Sequence, residues 1–167
     1  MRPLAGLIGL VVGSAWLLGC QPGANRPAEV DALRDILPIL ERHQVREFRN
    51  EDWCLVLRYV RGTFAETDSP ETCLLTGGAA KAFDSQASAD FDEMKRLMNG
   101  TTVDPSYVLI EYSSTGSIRS AVFETGCAGC SVGRYIYEPN GPSGSRVRGP
   151  DTSEVEIQAD WFWYQEE

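Results

Sequence analysis

Residues 154–164 read Glu-Val-Glu-Ile-Gln-Ala-Asp-Trp-Phe-Trp-Tyr, and they carry the clearest alternation of apolar and polar side chains in the chain. The apolar side chains that fall on one side are Val155, Ile157, Ala159, Trp161 and Trp163. A period of two is typical of a strand with one buried face. The stretch therefore predicts one half-buried strand, from about Glu154 to Tyr164, which requires a sheet beside it and a layer that covers its apolar side.

Further strands are predicted upstream of this stretch. Tyr107–Tyr112 and Ile118–Glu124 flank Ser-Ser-Thr-Gly, a hairpin loop in which Gly116 can adopt a positive φ. Ser131–Glu138 and the earlier run Trp53–Phe64 are both rich in β-forming residues. We expect all of these segments to join one sheet.

Two segments have the spacing of amphipathic helices. The first, Ala28 to Arg46, contains Pro38, which is expected to kink the helix or split it in two. The second, Ser85 to Met98, has Asp84 or Ser85 as a cap and ends at Asn99-Gly100. The order α-β-α-β-β-β-β predicts an α+β fold, with an antiparallel sheet of about five strands and two helices packed on one face.

The N-terminal segment has the layout of a secretory signal peptide. Arg2 precedes an uncharged apolar stretch from Leu4 to Leu18. This stretch is shorter than the roughly 20 residues that a membrane-spanning helix needs. It is therefore interpreted as a signal segment rather than a permanent anchor.

The residues Leu17-Leu18-Gly19-Cys20 end this segment and resemble the lipobox of bacterial lipoproteins. The resemblance covers the signal segment alone and implies lipidation of the Cys20 thiol and cleavage before Cys20. Two or three acyl chains, of the palmitate type, would anchor the chain stably. The resemblance places the protein in the bacterial cell envelope. Because Gln21 follows the cysteine, it favours the periplasmic face of the outer membrane in an organism with two membranes.

The predicted organisation is a signal peptide at 1–19, a lipidated cysteine and short tether at 20–27, and one domain at 28–167. The chain has 167 residues and a net charge of −9. After the signal there is enough chain for one domain with a core. So acidic a chain is unsuited to nucleic acid, whose phosphates it would repel, and to bare anionic lipid.

Four cysteines remain after Cys20, and an even number in an exported chain indicates two disulfides. The favoured pairing joins Cys54 to Cys73 and Cys127 to Cys130, and the other two pairings remain open. The Cys127-Ala-Gly-Cys130 segment lies between predicted strands, without the helix that activates a redox-active cysteine pair. A structural disulfide is therefore favoured over a redox pair or a metal site.

The candidates for catalysis are few. His43 is the only histidine, so histidine-dependent triads and histidine-based zinc catalysis lose support. The carboxylates on the outer side of the last strand, Glu154, Glu156 and Asp160, are interpreted as a solvated face. We therefore predict no catalytic residue, metal or cofactor, and do not favour an enzyme.

Two features favour a binding surface. Tyr135, Tyr137, Phe162 and Tyr164 would form an aromatic patch if they shared one uncovered face of the sheet. The loop from Pro139 to Thr152 carries Arg146 and Arg148, which would suit an acidic partner. The alternative interpretation of the aromatic residues is that the sheet is covered on that side too. The alternative for the loop is an ordinary surface loop without a partner.

The leading hypothesis is a non-enzymatic interaction module, tethered to the membrane through Cys20, with a protein partner in the envelope. The alternatives are a periplasmic thiol–disulfide protein that uses Cys127 and Cys130, and a small hydrolase that depends on two carboxylates. The globular domain resembles no family that would decide between them.

Overall fold

The structure, a computed structural model, describes residues 26–74, 79–126, 133–141 and 152–166. These residues form one antiparallel sheet and two long helices that pack on the same face of it, so the predicted α+β class is confirmed. The predicted number of about five strands is wrong, because the described sheet has eight.

The described residues form three helices, of which the two long ones begin and end close to the predicted residues and the short one was not predicted. They are α1 (Arg26–His43), the short α2 (Pro70–Cys73) and α3 (Ser85–Asn99). Pro38 does not split α1, which continues through it with the proline ring on the solvent-exposed side. The Asp84 side chain caps α3 by accepting a hydrogen bond of 2.7 Å from the backbone N–H of Ala87.

The strands are β1 (Glu47–Glu51), β2 (Cys54–Tyr59), β3 (Gly62–Thr67), β4 (Tyr107–Tyr112), β5 (Ile118–Thr125), β6 (Gly133–Tyr137), β7 (Thr152–Gln158) and β8 (Trp161–Glu166). Their order across the sheet is β3-β2-β1-β4-β5-β6-β8-β7. The sheet therefore consists of the N-terminal meander β1–β3 and a C-terminal group β4–β8. Within the described sheet the two groups are joined by the pairing of β1 with β4, over three residue pairs.

The additional strands arise from turns within segments predicted to be single strands. The run Trp53–Phe64 is the hairpin β2–β3, which turns at Val60-Arg61 and resumes at Gly62 with φ +131°. The stretch Glu154–Tyr164 is the hairpin β7–β8, which turns at Ala159-Asp160 with φ +67° at Asp160. The remaining unpredicted strand, β1, is largely polar and sends one large apolar side chain, Phe48, into the core.

The main core lies between the helices and the sheet. Helix α1 contributes Val30, Leu33, Ile36, Leu37 and Leu40, and α3 contributes Ala87, Phe91, Met94 and Met98. The largest fully buried side chains opposite them are Trp161 and Trp163 of β8. Full burial of a large apolar side chain contributes about 1.5–3 kcal/mol, so this layer is the main source of stability.

A smaller cluster lies on the opposite face of the sheet, where α2 covers one corner. The sulfurs of Cys54 and Cys73 are at disulfide distance, 2.02 Å apart, in agreement with the pairing favoured from the sequence. Both cysteines are fully buried with Val56. The Arg49 guanidinium donates a 3.2 Å hydrogen bond to the Cys73 carbonyl and lies over the Tyr107 ring, so it holds α2 against the sheet.

Candidate functional site

The four rings proposed as one aromatic patch lie on two faces of the sheet. Tyr135 pairs with Trp163 and Tyr137 with Trp161, with ring centroids 4.8 and 5.1 Å apart, on the face that the helices cover. Phe162 and Tyr164 project from the opposite face, as predicted for alternate residues of one strand. The expectation of one shared face is therefore wrong, because β6 pairs with β8 in a register that sets both tyrosines beside the tryptophans.

The two rings on the opposite face have ordinary structural surroundings. Phe162 is 8% exposed beside Ile136. Tyr164 lies beneath the Arg134 guanidinium, 5.6 Å from the ring centroid, and that guanidinium also pairs with Glu124 at 2.9 Å. These contacts hold the β5–β6–β8 part of the face together.

Other predicted site residues lie outside the described residues. They are Cys20, Cys127, Cys130, Arg146 and Arg148. His43 is the last residue of α1, and its backbone carbonyl accepts a long bond of 3.5 Å from the Val60 N–H.

Tyr135 is a core residue. It is 3% exposed, and its hydroxyl donates a hydrogen bond to the Glu29 carboxylate of α1. Burial, with the hydrogen bond and charge of Glu29, raises its pKa well above the ordinary tyrosine value. Its polar group therefore connects β6 to the first turns of α1 and is not presented to a ligand.

Tyr137 lies at the edge of the same face and lines an open cleft of about 480 Å³, here named the Tyr137 cleft. The cleft lies between α1 and the ends of β5 and β6. Its lining residues are Arg34, Leu37, Pro38, Glu41, Ser117, Ile118, Tyr137, Pro139 and Asn140.

Contacts of α1 fix the walls of this cleft. The Glu41 carboxylate accepts a 3.1 Å bond from the Ile118 N–H, which ties α1 to the start of β5. The Arg34 guanidinium donates 2.8 Å bonds to both Asp31 and Gln158. Pro38 has no N–H to donate to the Arg34 carbonyl one turn earlier, which interrupts the helical bonding at the cleft.

The cleft offers groups that recognise ligands by hydrogen bonding. Burial, and to a lesser extent the charge of Asp160, raises the pKa of Tyr137, so its hydroxyl stays protonated at neutral pH. Arg34 adds a cation, Glu41 a carboxylate and Asn140 an amide. The lining also includes the hydroxyl of Ser117, and none of the lining residues is a histidine or a cysteine.

A polar cluster on another part of the helix-covered face joins α3 to the β2–β3 turn. The Tyr59 hydroxyl donates a 2.5 Å hydrogen bond to Asp90, and Arg61 lies 3.7 Å from the same carboxylate. Burial alone would raise the pKa of Asp90, but the hydrogen bonds from Tyr59 and Gln86 and the charge of Arg61 lower it below its ordinary value of 3.8. All of these groups satisfy one another, which indicates a structural role.

Tyr137 was predicted from the sequence as a candidate binding residue, whereas the residues that surround it in the cleft were not. Pro38 inside a helical pattern was the available signal for an irregular helix surface beside Arg34 and Glu41. Nothing in the sequence pattern distinguishes Asn140.

Among the described residues, no group of three histidine, cysteine, aspartate or glutamate side chains is placed to hold a metal ion. No helix of the described part of the chain is long and apolar enough to cross a membrane. Comparisons of the chain with protein-family models, with curated proteins and with solved structures gave no match in any of the three.

Proposed function

We propose that this chain is a lipid-anchored protein of the bacterial envelope whose single α+β domain acts as a non-enzymatic binding module. The lipobox-like residues before Cys20 support the anchor. Helix α1 begins at Arg26, only six residues after Cys20, so a chain anchored there would hold its domain close to the bilayer.

The observation that carries the binding role is the Tyr137 cleft. Its volume of about 480 Å³ lies within the range of roughly 300–1,000 Å³ that is typical of ligand sites. It combines an apolar wall of Leu37 and Ile118 with the polar groups of Arg34, Glu41 and Tyr137. Such a surface suits recognition of a peptide or loop from another envelope protein.

Site-specific photo-crosslinking in intact cells tests this proposal. A benzophenone amino acid replaces Asn140, which lines the cleft, and in a separate variant replaces Asp92, which is exposed on α3. We expect a discrete covalent adduct with an envelope protein from position 140 and none from position 92. Adduct formation at position 140 should fall sharply in a Tyr137→Phe background, which removes only the hydroxyl. No adduct at position 140, or equal adducts at both positions, would refute the cleft as the contact site.

The anchor has its own test. Metabolic labelling with an alkyne-bearing palmitate analogue should mark the wild-type protein, and Cys20→Ser should abolish both the label and recovery in the membrane fraction. A Cys73→Ser variant is the control, because it removes a different cysteine and should keep the label. Unchanged membrane recovery of Cys20→Ser would exclude lipid anchoring at this residue.

A further inference from the structure

A second cleft, of about 440 Å³, opens at the end of the sheet where β1 and β5 begin and β2 and β4 end. Three arginines line it: Arg46, Arg58 and Arg119. We name it the arginine cleft. Its composition is unexpected in a chain where 24 acidic residues outnumber 15 lysines and arginines.

Arg58 balances a buried acid in this cleft. The Glu47 side chain is 0% exposed, and its Oε2 lies 3.7 Å from Nε of Arg58. A buried carboxylate needs such compensation, because desolvation of an unpaired charge is costly. The charge of Arg58 is therefore largely committed to Glu47.

The other two arginines are differently placed. Arg46 and Arg119 are both exposed, and in the described part of the chain neither lies within 4.0 Å of a carboxylate. The Arg46 guanidinium lies 6.0 Å from the centre of the Tyr112 ring. Two guanidinium groups therefore line one cleft with their donors available to an incoming anion.

The cleft also has an apolar part and a defined charge. Leu109 is half-buried and contributes apolar surface, whereas Tyr112, which also lines the cleft, donates its hydroxyl to the carbonyls of Leu40 and Val45 at the end of α1. Three arginines and two glutamates, Glu47 and Glu111, leave a net charge of +1. A ligand with a single negative charge would neutralise the cleft, whereas a phosphate dianion would leave it with a net charge of −1.

We propose that the arginine cleft binds a monocarboxylate that carries an apolar group. The guanidinium groups of Arg46 and Arg119 hold the carboxylate by charge-assisted hydrogen bonds, and the apolar group packs on Leu109. The site is separate from the Tyr137 cleft, so failure of either proposal leaves the other standing.

The position of the cleft favours a ligand from solution over a lipid headgroup. Arg46 lies three residues beyond the C-terminal end of α1, and Arg26 begins that helix. An 18-residue helix is about 27 Å long. A domain tethered at the Arg26 end would therefore present this cleft at the other end of α1.

The test is an NMR titration of the full chain in mild detergent, with N-acetyl-leucine as the carboxylate probe. N-acetyl-leucinamide, which lacks the charge, and glycerol phosphate, which resembles a lipid headgroup, are the comparison probes. We expect saturable shifts of the Arg46, Leu109 and Arg119 amides with N-acetyl-leucine, and affinities at least about tenfold weaker for both comparison probes.

Variants connect binding to the two arginines. Arg46→Ala with Arg119→Ala should weaken the binding of N-acetyl-leucine by about tenfold or more. Lys95→Ala with Arg96→Ala removes the same charge from the exposed side of α3 and should leave binding unchanged. Because both cleft arginines are exposed, we expect the cleft variant to remain folded. An unchanged thermal unfolding curve would show this.

Three results would overturn the proposal. The first is equal binding of N-acetyl-leucine and N-acetyl-leucinamide. The second is tighter binding of glycerol phosphate than of N-acetyl-leucine, and the third is the same loss of binding in the cleft and α3 variants. If the alanine variant unfolds, the variant that carries Arg46→Lys and Arg119→Lys tests the proposal instead. Lysine keeps the charge but lacks the fixed guanidinium geometry, so this variant should still bind N-acetyl-leucine more weakly.

Discussion

Gly133 of β6 lies directly against the Trp163 ring of β8, and a Cβ atom built at Gly133 would be 2.0 Å from Cη2 of the indole. No real Cβ approaches a ring carbon so closely. The glycine is therefore required by close packing and not by an unusual φ. It allows the fully buried Trp163 to lie flat against the neighbouring strand.

Gly133→Ala is expected to lower the free energy of unfolding by about 3 kcal/mol, because the new methyl group must displace a packed ring or the backbone. Chemical denaturation measures the change. Gly126→Ala is the matched control, because the nearest heavy atom to its Cβ would be 4.0 Å away, and it should be near neutral. Trp163→Phe should recover part of the loss in the double variant, and strictly additive losses would refute direct contact as the cause.

The Cys54–Cys73 bond is expected to contribute about 3 kcal/mol, since it closes a loop across a separation of 19 residues. Replacing both cysteines by alanine should lower the free energy of unfolding by that amount. Because the disulfide leaves neither residue with a free thiol, a thiol reagent should label neither residue until a reductant is added. A peptide map that links Cys54 or Cys73 to Cys127 or Cys130 would contradict the pairing.

Asp90 is expected to make stability depend on acid pH. Its folded-state pKa is below the ordinary value of 3.8, so its contribution is present above that pH and is lost as the pH falls through the folded pKa. Asp90→Asn should therefore lower the free energy of unfolding by about 1–2 kcal/mol at pH 7, and by little at a pH below the folded-state pKa of Asp90. Urea denaturation across this range measures the difference. Asp92→Asn, exposed two residues away, is the control, and a penalty for Asp90→Asn that is the same at every pH would contradict the assignment.

The buried Tyr107 and Tyr135 and the half-buried Tyr112 are expected to ionise at higher pH than free tyrosine. Burial raises the pKa of Tyr107 to about 12, and it raises those of Tyr112 and Tyr135 still further. Because the unfolded phenols titrate near 10, the stability these groups provide is complete below pH 10 and is lost as the pH rises above it. Phenolate absorbance of the folded protein should show that some of the tyrosines ionise only above pH 10. In denaturant the same tyrosines should ionise near pH 10. Titration of all tyrosines near pH 10 without unfolding would contradict their burial.

The sequence was sufficient for the two long helices because their apolar positions repeat over several turns. Leu33 and Leu40 of α1 and Phe91 and Met94 of α3 lie at this helical spacing, and all four are buried. The turn at Val60-Arg61 was missed because a tight hairpin needs only two residues, and Gly62, which follows it with φ +131°, was the available signal.

The β7–β8 turn was hidden for a different reason. A two-residue turn normally shifts the alternation by one position between its strands. Here a β-bulge between Glu156 and Gln158 shifts it back, so Val155 pairs with Trp163 and odd-numbered residues share a face in both strands. The pattern therefore passes unbroken through the hairpin and resembles that of a single strand.

The candidate site was predictable only in part, because clefts depend on the order of strands. The side of the sheet on which Tyr137 lies follows from the pairing of β6 with β8, which the sequence does not specify. The arginine cleft unites Arg46, Arg58 and Arg119 from three strand ends far apart in the chain. No local spacing rule connects them.

The short pairing of β1 with β4 has a consequence for the order of folding. Most pairings within each group are local hairpins, and the longest of them, β6 with β8, joins residues about 30 apart. Pairing Arg49 with Tyr107 closes a loop of about 60 residues, so among the strand pairings it costs the most chain entropy. We expect the two groups to form first and to dock along this seam last. Native-state hydrogen exchange would then show the β1–β4 amides opening together at a lower free energy than the hairpins on either side.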